Sequence, residues 1–203
     1  MRRIIALLTA TAAVAAIAVL TSSSPSTGAG PVHQHGGGTG SDELERQIAR
    51  SRLALAPFAT DLRRAKRAGY KLQITPMMPD MGYHYMNPDV KGFDVRRPPI
   101  LVYVGRGKAA QLVAAEWVFP ETPKKPPLPG ATYGSFAAAC HYVDGTFTPE
   151  DDEAACATRS PESGAAFSFW HPDLVTLHLW GWYPNPDGVF NPTNTLVSPF
   201  NGR

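Results

Sequence analysis

Apolar residues along the chain change period near Tyr70. Before it they recur at helical spacing. Leu44 and Ile48 stand four apart, and Phe58, Leu62 and Ala65 line a second stripe that Ala68 extends. Ser41 ahead of Asp42 and Glu43 predicts an N-cap with an acidic first turn. Pro57 lacks an N–H and breaks or restarts the helix. Gly69 suits the exit, where a helix often turns left-handed. Asp61, Arg63, Arg64, Lys66 and Arg67 surround the second stripe and read as a wet helix face.

After Tyr70 the pattern is that of strands. Residues 71–75 are short and extended, and residues 99–104 (PILVYV) are β-rich. A turn at 105–107 (GRG) leads to 111–119 (QLVAAEWVF), so the two segments predict a hairpin. Residues 132–143 and 166–170 are further strand segments, and 175–182 (VTLHLWGW) is the plainest late one. Prolines gather at 120–129, a solvated loop. Helices first and strands afterwards predict an α+β domain with a mostly antiparallel sheet.

The first forty residues do not join this domain. Arg2 and Arg3 precede an uncharged apolar and small-residue run over 4–20, followed by Ser, Pro, Thr and Gly. That order is a secretory signal over 1–29, with Thr27-Gly28-Ala29 near the cleavage point. The alternative is a retained anchor, for which the run is slightly short of the roughly 20 residues of a bilayer span. Residues 30–40 form a flexible Gly/Ser/His tether, leaving 41–203 as a single domain large enough to bury a core. No stable membrane span is expected after cleavage.

Charge removes one class of partner. Without Arg2 and Arg3 the 19 basic residues fall to 17, equal to the 17 acidic ones. Nucleic acid needs a clustered basic excess, so none is expected as a partner. The two cysteines, Cys140 and Cys156, favour a disulfide in an exported chain. A tetrahedral metal site is the weaker alternative, since no second cysteine pair completes it.

Three residues carry candidate chemistry. Residues 77–88 (MMPDMGYHYMNP) bring four methionines, two tyrosines and His84 together. Thioethers suit Cu(I) and imidazole suits copper or zinc, although methionine also fills gaps in cores. In 175–182, alternation sets Thr176, His178, Trp180 and Trp182 on one face. Glu116 lies in a strand that is apolar on both faces, where a carboxylate is costly to bury without a partner. Together His84, Glu116 and His178 have the composition of a two-His, one-carboxylate metal site for copper or zinc, with Tyr83, Tyr85, Trp180 and Trp182 as pocket walls. His171 is a candidate to replace one member. His33 and His35 form an H-x-H pair on the tether, a type that can hold Cu(II) or Zn(II) weakly, with chance placement in a linker as the equal alternative, and His141 reads as an ordinary strand or loop residue. The chain has no G-x-S-x-G motif and no phosphate loop.

The order AKRAGY (65–70), MGYHYMNP (81–88), PPILVY (98–103), AAEWVFP (114–120), LHLWGW (177–182) and NPDGVF (185–190) resembles a family of uncharacterised exported bacterial proteins with MGxHYxNP and LHxWxW…NPxGxF motifs. The resemblance spans about residues 58–198. It implies export and a shared fold, and no particular activity. It places Met81, Gly82, His84, Asn87, Pro88, Glu116, His178, Trp180, Asn185, Pro186, Gly188 and Phe190 at motif positions. Members often end in N-P-x-V-x-C, whereas this chain runs Asn194-Thr195-Leu196-Val197-Ser198-Pro199 and lacks that cysteine.

Three functions follow as expectations. One is a secreted or envelope protein binding a small ligand or a transition metal at His84, Glu116 and His178. Another is an extracellular enzyme, either metal-dependent or using Glu116 and His84 as a base and acid pair. The last is a structural envelope module in which Asn185-Pro186-Asp187-Gly188 only makes a turn.

Overall fold

The computed structural model describes residues 39–202. The expected signal over 1–29, and the tether up to residue 38, lie outside the described residues. The domain is α+β, as the pattern predicts. Helix α1 (Thr39–Leu55) runs into a short 3-10 turn (Ala56–Phe58) at Pro57, and α2 (Leu62–Arg67) follows. The helix begins two residues before Ser41, so the tether is shorter than its composition suggests. Asp61 caps α2, its carboxylate accepting the Arg64 N–H at 2.9 Å. Leu62 and Ala65 are buried, while Arg63, Arg64, Lys66, Arg67 and also Ala68 face solvent.

Nine strands follow among the described residues. They are β1 (Leu72–Gln73), β2 (Tyr83–Met86), β3 (Ile100–Val104), β4 (Gln111–Phe119), β5 (Gly134–Phe136), β6 (Ala139–Tyr142), β7 (Phe147–Pro149), β8 (Phe167–His171) and β9 (Leu174–Leu179). A six-stranded sheet has the order β1-β2-β3-β4-β9-β5, and a three-stranded sheet the order β7-β6-β8. Every named pairing is antiparallel, including the expected β3–β4 hairpin.

The larger sheet separates its two faces by alternation. Tyr85, Tyr103, Trp117 and Leu177 belong to one apolar core with Leu55, Leu62 and Ala65 of the helical segment. His84, Glu116 and His178 point to the other face, toward the smaller sheet. Gly82 permits β2 to pair closely there. It has φ +130°, and a Cβ on it would lie 2.5 Å from the Tyr103 carbonyl oxygen.

Two connections fix the smaller sheet and the methionine segment. Cys140 and Cys156 form a disulfide that ties β6 to the 3-10 turn Glu153–Ala155. The 77–82 turn is clasped by the C-terminal segment. The Asp80 carbonyl accepts the Asn194 N–H at 2.7 Å, and its carboxylate accepts from Ser198 and Asn201, both at 2.8 Å. Among the described residues, no helix is long and apolar enough to cross a membrane.

Candidate metal centre

Glu116 sits in the middle of β4 and is paired directly with His178 of β9. His84 lies on β2, two strands away, and reaches toward Glu116 over β3, where Ile100 pairs with Glu116 and Val102 with His84. His84 Nε2 stands 3.4 Å from Glu116 Oε2, and His178 Nε2 stands 3.7 Å from Glu116 Oε1. One ligand atom from each residue lies within 4.8 Å of the others. Metal bonds near 2 Å place ligand atoms roughly 3–4 Å apart. A closure of about 1 Å along the longest edge therefore gives ligand spacing.

All three side chains are buried, and burial governs their protonation. It raises the Glu116 carboxyl to about 8. It lowers His178 to about 4, and it lowers His84 to about 3 with His178 adding to the effect. At neutral pH the cluster therefore holds a protonated carboxyl and two neutral imidazoles, so its close contacts are not ion pairs.

Hydrogen bonding orients one imidazole and leaves the other bare. His84 Nδ1 lies 2.8 Å from the Thr75 hydroxyl, which also accepts the His84 backbone N–H at 3.2 Å. The hydroxyl serves as acceptor or donor, so Nδ1 can carry the proton and leave the Nε2 lone pair facing Glu116. Among the described residues, neither ring nitrogen of His178 has a hydrogen-bond partner, although both are buried. An unpaired buried polar group costs about 1–3 kcal/mol. The site is therefore short of a partner, and an ion bound by His178 would supply one.

The three side chains open onto a cavity of about 290 Å³ between the two sheets. Thr176 and Ile100 continue its wall on the larger sheet. Met78 and Met81 line it from the turn that the C-terminal residues clasp, and Met86 lines it from the end of β2. Met77 instead packs into the core.

The expected aromatic walls are elsewhere. Tyr83 and Tyr85 alternate with His84 and so fall on the helix side of the sheet, where they line a basic surface groove with Lys66 and Arg106. The Lys66 ammonium lies 4.9 Å from the Tyr85 ring centre, and the Arg106 Nε donates to the Tyr83 hydroxyl at 2.6 Å. Strand β9 ends at Leu179, so alternation no longer controls Trp180 or Trp182. Trp180 stacks near His178 at 6.5 Å but packs into the apolar cluster of Val102 and Val197, its Nε1–H donating to the Asn191 carbonyl at 2.7 Å. Trp182 packs against the helix-side core.

The far wall is built from residues that no sequence pattern singles out as a group. His141, His171 and Phe169 close the cavity from the smaller sheet, and Phe136 from the end of β5 at the edge of the larger one. His171 thus stands opposite the triad and replaces none of its members. The asparagines of the motifs serve the backbone. The Asn87 side-chain amide donates to the Ala68 carbonyl, and that of Asn185 to the Thr193 carbonyl. The chain matches no protein-family model, and no curated protein or solved structure is significantly similar to it.

Proposed function

We propose that the chain is an exported binding protein whose inter-sheet cavity holds a transition-metal ion on His84, Glu116 and His178. The observation that carries the reading is His178, a buried imidazole whose two nitrogens have no hydrogen-bond partner among the described residues, beside a buried carboxyl group. Two imidazoles and one carboxylate suit Zn(II) or Cu(II), and a carboxylate offsets part of the charge of a divalent ion. Thr75 would act as the outer partner that fixes ligand orientation. Export is supported by the Arg2-Arg3 start and the apolar run, and a disulfide is compatible with an oxidising compartment. The resemblance to exported bacterial proteins points the same way. The test is metal analysis of untagged protein followed by titration with Zn(II) and Cu(II). The reading expects about one ion per chain and loss of binding in His178→Ala. No bound metal and no affinity for either added ion would remove it.

A second reading has one observation in its favour. Three protein ligands leave a coordination position facing the cavity, which is the arrangement of catalytic rather than structural zinc sites. Such an ion would activate water for hydrolysis of a small apolar substrate. Turnover of small esters by the Zn(II)-loaded chain, absent in Glu116→Gln, would favour it. Binding of metal without any turnover would leave the binding-protein reading.

A further inference from the structure

The cavity has two histidine-bearing walls, and the triad occupies only one. On the other, His141 of β6 and His171 of β8 lie diagonally across a ladder in which His141 pairs with Phe169 and Ala139 with His171. Their ring centres are 5.0 Å apart. Each ring has its Nδ1 held by a backbone carbonyl, His141 by Ile74 and His171 by Pro172, both at 2.7 Å. A carbonyl only accepts, so in the neutral form of each ring Nδ1 carries the proton and Nε2 holds a lone pair. Both Nε2 atoms are buried without a partner among the described residues. His141 is 1 % exposed and His171 9 %.

These features go beyond aromatic packing. His141 does stack on Phe169, with ring centres 4.6 Å apart, but a phenyl ring would stack there without stranding a lone pair. An imidazole bound through Nε2 has its centre about 3 Å from the ion, so two such rings lie up to about 6 Å apart. The observed 5.0 Å lies within that reach and short of its limit, so the two rings are close enough to share one ion.

Charge selects the ion. Among the described residues, the only carboxylate lining the cavity is Glu116, which belongs to the other cluster. Two neutral imidazoles offset no charge, so a divalent ion would be poorly compensated in this apolar setting and a monovalent one much less so. Neutral nitrogen donors with nearby thioethers are the ligand set of Cu(I), and Met78, Met81 and Met86 line the same cavity. Thiolates do not compete, because the chain's two cysteines are joined to each other. The two walls are also linked through the backbone. Ile74 orients His141, and the next residue, Thr75, orients His84.

We propose that His141 and His171 form a second metal site on the opposite wall of the cavity, selective for Cu(I). This site does not require an ion at Glu116. The test uses the full chain carrying His33→Ala and His35→Ala, which removes the tether pair. Cu(I) is kept reduced by ascorbate without oxygen and competed against a chromophoric chelator, and Zn(II) is titrated in parallel. The parent chain should bind one Cu(I) even when saturated with Zn(II). His141→Phe with His171→Phe keeps the aromatic packing and should weaken Cu(I) binding roughly 100-fold or more while sparing Zn(II). Glu116→Gln with His178→Ala should do the reverse. Unchanged Cu(I) affinity in the double-Phe variant overturns the proposal. Failure of Zn(II) binding in every form, with Cu(I) still lost in the double-Phe variant, overturns only the function proposed for the triad. Should the double-Phe variant not fold, Ag(I) added to the parent chain decides the matter instead. Imidazole nitrogen resonances of His141 and His171 must shift, and resonances that stay in place overturn the proposal.

Discussion

Glu116 and His178 face each other directly across the β4–β9 ladder, with carboxylate oxygen and ring nitrogen 3.7 Å apart and both side chains buried. Direct cross-strand neighbours share a face, so the strand register alone forces a carboxyl group against an imidazole. Their environment then keeps both neutral without a ligand, which makes the centre sensitive to pH.

Stability of the metal-free protein should peak near pH 6.5. Burial lowers His84 to about 3 and His178 and His141 to about 4. Between about pH 4.5 and 6.5 these imidazoles bind protons only in the unfolded chain, so stability rises with pH, and Glu116 alone opposes the trend. Glu116 titrates at about 8 in the folded state against an ordinary 4.5. Between about pH 6.5 and 8 it holds a proton only when folded, so stability falls. Urea denaturation across this range should show the maximum. Saturating Zn(II), which requires the ionised carboxylate, should abolish the fall on the alkaline side. So should Glu116→Gln.

Removing the hydroxyl behind His84 should weaken the centre without touching a ligand. Thr75→Val strands His84 Nδ1 and the His84 backbone N–H. The expected results are a loss of about 1–3 kcal/mol in stability and a roughly 10- to 100-fold weaker Zn(II) affinity, on the order seen for outer-shell partners. Chemical denaturation and calorimetric titration measure the two effects separately.

Gly82→Ala should destabilise the β2 edge of the site. Its φ of +130° and the 2.5 Å approach of a Cβ to the Tyr103 oxygen both oppose a side chain. A cost of about 1–3 kcal/mol is expected from strained backbone of this kind. The drop in melting temperature should exceed that of Gly92→Ala, where a Cβ meets nothing within 4 Å although φ is also positive, at +71°.

Opening the disulfide should act on the cavity wall opposite the triad. Cys140 precedes His141 on β6 and is joined to Cys156 across a separation of 16 residues. A loop of that size contributes about 3 kcal/mol in the chain-entropy model. Cys140→Ala with Cys156→Ala should lose stability on that order by denaturant titration.

Much of this arrangement is legible in the chain. The helical stripe at Leu62 and Ala65 and the hairpin of 99–104 with 111–119 carry their periods openly. Glu116 stands out because both faces of its strand are apolar. His84 and His178 are legible as residue types, but their approach depends on β2 and β9 flanking the β3–β4 hairpin, which is a matter of strand order. The aromatic walls lie away from their expected place for two reasons. Strict alternation sends Tyr83 and Tyr85 away from His84, and β9 stops before Trp180. The His141–His171 pair is hidden in the sequence because it depends on the β6–β8 register across some thirty residues, which no local pattern specifies.

The most direct test is calorimetric titration of the untagged chain with Zn(II) at about pH 7, beside Glu116→Gln. The account predicts one ion bound at the triad. About one proton should be released as Glu116 ionises, and affinity should fall roughly 100-fold or more in the variant. Equal affinity in the two proteins, or no binding in either, would contradict it.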